Sequence, residues 1–139
     1  MPTEGHRDYS RTPLASKLGI RDGSHVLVVA PPHGFSLEVP RGAEIARSAR
    51  GRLDVIVMFA DRAAELRRRF ARLAQALEPD GRLWVAWPKK AARLPTDLSF
   101  EIVQGTGLDA GLVDNKSASI DERYQALQFV YRQKDRPGR

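Results

Sequence analysis

The chain has 139 residues, 42% of them hydrophobic and 29% charged, which suits one domain with a true core and is too short for two ordinary ones. It contains no cysteine, so disulfides, thiolate metal sites and thiol nucleophiles are excluded together. The formal charge of +6 is concentrated between residues 41 and 72, where nine arginines face Glu44, Asp54, Asp61 and Glu65. No run approaches the ~18 to 20 apolar residues of a membrane span, and residues 1–10 hold no apolar export segment. The expectation is a cytoplasmic protein without a membrane partner: one α/β domain over 12–133, flanked by flexible tails at 1–11 and 134–139.

In chain order, Thr12 is the expected N-cap of a short helix, with Pro13 at its first position, Leu14 and Leu18 on one face and Gly19 at its end. Residues 25–30 (HVLVVA) read as a buried strand, stopped by Pro31 and Pro32. Beyond Gly34 the pattern predicts one helical turn at 35–38 and then a short edge strand. Residues 53–60 (LDVIVMFA) are almost continuously apolar, which predicts a central parallel strand covered on both faces. Asp61 is the predicted N-cap of a helix reaching about Glu78, with Ala63, Leu66, Phe70, Leu73 and Leu77 on one stripe. Pro79-Asp80-Gly81 then turns the chain into the strand RLWVAW, completing a βαβ unit. Thr96 and Asp97 are capping residues for a second helix, in which Leu98, Ile102 and Gly105 share a face and which Gly107 ends. Finally LVDNKSASI and YQALQFVY alternate, as the two arms of an antiparallel hairpin do.

That order, with LEPDGRLWVAW as a late parallel strand behind a Pro-x-Gly turn, resembles the second half of the class I S-adenosylmethionine-dependent methyltransferase fold over most of 53–131. The resemblance implies a small three-layer Rossmann-like sheet, mostly parallel, with a C-terminal antiparallel hairpin. HVLVVAPPHGF occupies the place of that family's first strand and cofactor loop. The family's loop carries an acidic residue and clustered glycines, whereas this one reads Ala30-Pro31-Pro32-His33-Gly34. The family also holds the cofactor ribose with a carboxylate after its second strand, and residues 31–52 leave no room for the usual strand, helix and strand; Glu38 and Glu44 are poor substitutes. The implied outcome is an inherited fold whose cofactor site is lost. The alternative is a methyltransferase with a divergent loop. More finely, YSRTPLASKLGI, LWVAWPKK, TDL and GLVDNKSASID resemble a bacterial family, the domain of unknown function 3052 family, which implies the same fold and no assigned reaction.

Ligands of open α/β sheets bind beyond the carboxyl ends of the strands, so the loops after Ala30, Ala60 and Trp87 define a candidate cleft. They bring His33 and Gly34, then Asp61, then Lys89 and Lys90. The two lysines are candidate point charges for a phosphate or carboxylate, or else plainly solvated; His33 is a candidate base or donor. Asp97, a candidate ligand-binding residue of the cleft, is either a catalytic acid or a helix cap, and the cap explains it without a substrate. Asp114 and Lys116, two residues apart, are expected to pair on one face of the hairpin. Arg67, Arg68, Arg69 and Arg72 are expected on a solvated helix face where Glu65 pairs with Arg68 and Arg69. Trp84, Trp87 and Phe59 read as core, and His6, His25 and His33 have no metal spacing. The expected role is non-catalytic binding of a small anionic or nucleotide-like ligand, or of a protein partner, at the cleft. A homodimer through the hairpin edge and nucleic acid along 41–72 are the other partners these residues allow.

Overall fold

Strands β1 (His25–Val29), β2 (Glu44–Ile45), β3 (Leu53–Phe59), β4 (Leu77–Pro88), β5 (Leu112–Ser119) and β6 (Tyr124–Tyr131) form one sheet in the order β2-β1-β3-β4-β6-β5. The first four run parallel, and β6 is antiparallel to both β4 and β5. This computed structural model describes residues 13–132, so the expected Thr12 cap and the two tails lie outside the described residues. Among the described residues no helix is long and apolar enough to cross a membrane.

The alternation of side chains along each strand divides the core in two. On one face Leu27, Ile56, Met58, Leu83 and Val85 pack under helices α2 (Ala63–Gln75) and α3 (Phe100–Asp109). On the other, Val26, Val55, Val57, Trp84 and Ala86 pack under α1 (Leu14–Lys17) and the segment that follows β1. Apart from Asp54, β3 is apolar because both faces are covered, as a central parallel strand requires. Trp84 is wholly buried, and its indole N–H donates to the Leu18 carbonyl at 2.9 Å, which fixes α1 to the middle of the sheet.

Several local expectations give way to tertiary packing. No helical turn forms at 35–38. Phe35, Leu37 and Val39, at alternate positions, instead turn onto the second core, and Phe35 meets the edge of Phe59 at 4.9 Å. These side chains cover a sheet face that a helix covers elsewhere. Pro79-Asp80-Gly81 is no turn ahead of β4 but a bulge within it: the register passes from Leu53↔Leu77 to Val55↔Arg82, so β4 spends extra residues there. Gly81 allows it, since a Cβ at that position would stand 2.9 Å from the Asp54 carbonyl oxygen. α2 accordingly ends at Gln75, short of Glu78, because Leu77 is already paired with β3.

Asp61 does not cap α2; Arg62 occupies the N-cap position and makes no side-chain cap bond. Ser99, not Thr96 or Asp97, caps α3 by accepting from the Ile102 N–H, so Leu98 precedes the helix and does not share its face with Ile102 and Gly105. Gly107 does not end α3 either. It lies buried inside the helix against Phe129, and the chain turns at Gly111, where φ is +92°. In the hairpin, Asp114 opposes Phe129 and Lys116 opposes Gln128. That bulge at Asn115 puts Asp114 and Lys116 on opposite faces, so the expected ion pair does not form, and Asp114 accepts from the Gln104 amide instead.

Candidate functional site

The chain leaves β1 abruptly. Ala30 takes a left-handed φ of +54°, and Pro31 and Pro32, lacking N–H groups, cannot extend the ladder. Beside it, the turn from β3 into α2 is clamped from across the chain by residues 96–97. The Thr96 hydroxyl donates to the Asp61 carbonyl at 2.7 Å, the Asp97 N–H donates to the same oxygen at 3.3 Å, and the Asp97 carboxylate accepts from the Ala63 N–H at 2.7 Å. Asp97 is therefore a helix cap, but of α2, 34 residues away in sequence. Held in this way, the carboxyl ends of β1 and β3 enclose a cavity of about 320 Å³.

Its walls come from Ala30, Pro32, Phe59, Asp61, Arg69 and Tyr124. The rings of Phe59 and Tyr124 meet edge to face with centroids 5.4 Å apart, giving an aromatic corner to the cavity. Arg69 is set at the lip by Glu65, whose carboxylate binds Arg69 Nε at 3.0 Å and Arg68 Nη2 at 2.7 Å. The hydrogen bond from Arg68 holds the Glu65 carboxyl below its ordinary value of 4.5, so it is ionised at neutral pH. The cavity thus offers the Tyr124 ring, the Asp61 and Glu65 carboxylates as acceptors for hydroxyl or amino protons, and one guanidinium oriented by Glu65. Among the described residues, no three His, Cys, Asp or Glu side chains gather as a metal site.

Of the candidates named from sequence, Asp61 lines this cavity. His33 and Gly34 are exposed on the adjoining turn, closed by the Phe35 N–H to the Pro32 carbonyl, and are not part of its wall. Lys89 points away: its Nζ donates to Ser119 Oγ at 2.7 Å, and with Lys17 and Lys116 it borders a separate trough between α1 and the hairpin. Lys90 is exposed at the start of a single 3-10 turn, Lys90–Ala92. The residues sequence reasoning missed are Tyr124 and Arg69. Tyr124 reaches the site because β6 places it opposite Pro88 at the end of β4, a register that no local pattern reveals. Arg69 had a signal in its spacing from Glu65, but nothing showed which side of α2 faces the strand ends.

No family model and no curated protein matches the chain in sequence. Solved structures do match. Magnesium protoporphyrin IX methyltransferase from Synechocystis PCC 6803 with bound S-adenosylmethionine superposes with a TM-score of 0.59 at 11% identity, over 86% of this chain and 74% of that one. A TehB-like S-adenosylmethionine-dependent methyltransferase from Corynebacterium glutamicum gives 0.54 at 12% identity, over 86% and 85%. The fibrillarin/Nop5p complex gives 0.52 at 10%, over 81% and 75%. The fold is that of the methyltransferases. Against the S-adenosylhomocysteine-bound form of the first enzyme, this chain spans 52% of that chain's length.

The methyltransferase-like fold does not carry the residues that would hold S-adenosylmethionine in the family's manner. Two prolines replace the loop amides after β1, and Gly34 is the only glycine there. The chain after β2 runs Ala46-Arg47-Ser48-Ala49-Arg50, with arginines where the ribose carboxylate belongs. Glu44 lies at the opposite end of the sheet, beside His25 at 3.5 Å.

Proposed function

We propose that this methyltransferase-like domain is a non-catalytic binding module that takes a small nucleotide-like ligand at the carboxyl ends of β1 and β3. The carrying observation is the cavity between Ala30, Asp61 and Tyr124, which sets aromatic side chains, the carboxylates of Asp61 and Glu65 and the Arg69 guanidinium around a space of about 320 Å³. A heteroaromatic ring suits the partly exposed Tyr124 ring, and sugar hydroxyls or ring amino groups suit the Asp61 and Glu65 carboxylates. The likeness of YSRTPLASKLGI and LWVAWPKK to the domain of unknown function 3052 family is consistent with this reading and adds no reaction.

Calorimetric titration with adenosine and with S-adenosylmethionine tests the proposal. Adenosine is expected to bind, Tyr124→Ala to weaken it about tenfold through loss of the ring contact, and the Lys89→Ala, Lys90→Ala pair to leave it unchanged. Micromolar binding of S-adenosylmethionine, with adenosine silent, would instead favour a methyltransferase with a divergent loop.

A further inference from the structure

A second hollow, of about 430 Å³, lies on the α2 side of the same strand ends. Its floor is apolar, built by Leu27 and Val29 of β1 and Leu73 of α2, and its rim carries Arg47, Arg69 and Arg72, joined by Arg68. The hollow exists because the cover of the sheet thins there. Ile56 and Met58 of β3 are wholly buried on this face, whereas Val29 of β1 is only partly buried, with Arg47, Ser48 and Ala49 of the chain after β2 bordering the space beside it. Parallel strands are ordinarily covered on both faces.

The charges in this hollow do not balance. Glu65 answers Arg68 and Arg69, but among the described residues no carboxylate pairs with Arg47 or Arg72. Two guanidinium groups, brought together from the turn after β2 and from the last turn of α2, therefore face one concavity without a counter-charge. Like charges gathered over an apolar floor repel more strongly than on an open surface and attract an anion correspondingly. Planar guanidinium forks match phosphate oxygens two at a time, which a lysine cannot do. Arg69 lines both this hollow and the strand-end cavity, so a ligand lying across it reaches both.

We infer that the hollow binds the phosphates of a nucleoside polyphosphate, with Arg47 and Arg72 as the charged partners and Arg69 as the link to the nucleoside. The inference rests on the nucleotide-like reading of the strand-end cavity and moves the phosphate site from the loop after β4 to the face of α2. A di- or triphosphate supplies the several negative charges that two unpaired arginines call for, and a chain of three phosphates is short enough to stay in a hollow of this size. Among the described residues no aromatic side chain lines the hollow itself, and the single Tyr124 beyond Arg69 is no series of stacking platforms, which disfavours a single-stranded nucleic acid.

The test is calorimetry on the full chain with three probes: adenosine, ATP and inorganic tripolyphosphate. The proposal expects ATP to bind more tightly than either of the others, and Arg47→Ala with Arg72→Ala to weaken ATP and tripolyphosphate at least about tenfold while adenosine is unaffected. Both arginines are exposed and neither forms an ion pair among the described residues, so the double variant should fold; its circular dichroism and urea midpoint check that. Glu65→Gln provides a gain-of-binding control, because freeing Arg68 and Arg69 is expected to tighten tripolyphosphate severalfold. Tripolyphosphate binding that the double variant removes, with adenosine silent, supports the phosphate site and removes the strand-end reading. Adenosine binding with tripolyphosphate silent overturns the phosphate site and leaves the other standing. Binding only to a single-stranded RNA oligonucleotide, weakening steeply with salt, also overturns it.

Discussion

Replacing Asp97 separates a structural carboxylate from a ligand-binding one. Its Oδ1 accepts from the Ala63 N–H at 2.7 Å, and α2 has no other side-chain cap. Removing an N-cap acceptor costs about 1 kcal/mol, and losing a negative charge at a helix N-terminus adds up to about 1 kcal/mol. Asp97→Ala is thus expected to destabilise the fold by about 1.5 to 2 kcal/mol. Asp97→Asn keeps an acceptor oxygen and should cost about 0.5 kcal/mol. With a urea m-value of about 1.5 to 2 kcal/mol/M for a chain of this size, the alanine variant's midpoint falls by about 1 M. Adenosine affinity, measured well below that midpoint, should fall less than about threefold, because the Thr96 hydroxyl still holds the Asp61 carbonyl at 2.7 Å. An unchanged midpoint together with lost binding would refute this account and make Asp97 a ligand group.

Two glycines in α3 should respond in opposite directions to alanine. A Cβ at Gly105 would meet no neighbouring element, so Gly105→Ala should stabilise by about 1 kcal/mol in urea melts, while Gly107→Ala drives a Cβ into the buried Phe129 ring and should cost about 2 kcal/mol net. Trp84→Phe leaves the Leu18 carbonyl without its donor and should lower stability by about 2 to 3 kcal/mol, read by the same melts. Glu65 titrates below its ordinary value because Arg68 hydrogen-bonds its ionised form, so its contribution is present above pH 4.5 and is lost as pH falls through the lower folded value. A pH series comparing wild type with Glu65→Gln should show their difference vanishing on that acid limb. Tyr131, pushed up by burial and donating to the Ala74 carbonyl, acts in the opposite sense: stability is lost as pH rises through 10 and the higher folded value, and Tyr131→Phe should remove that part of the alkaline loss.

The parts of the fold legible in sequence are those whose signal is local and strong. The run 53–60 could only be a doubly covered strand, and the alternation in YQALQFVY could only be one arm of a hairpin. What failed depended on partners distant in sequence. Residues 35–38 lack a periodic pattern of their own, and the open sheet face beneath them decided their conformation. The cap of α2 sits in another loop, and the bulge at Asn115 is invisible to a period-two reading. The candidate site was half legible for the same reason. The strand-end rule found the place and Asp61, while Lys89 bonds Ser119 of the hairpin, Lys90 stands exposed, and Arg69 of α2 lines the strand-end cavity.

The bond from Trp84 to the Leu18 carbonyl also sets an order of events during synthesis. A four-residue helix such as α1 has no stability alone, and its receptor lies 66 residues further along the chain. At about 5 to 20 residues per second, the ribosome delivers that tryptophan roughly 3 to 13 seconds after the helix. For that interval the apolar side chains of Leu14, Ala15 and Leu18 lack the indole that seats them, so α1 docks only after β4 has been made.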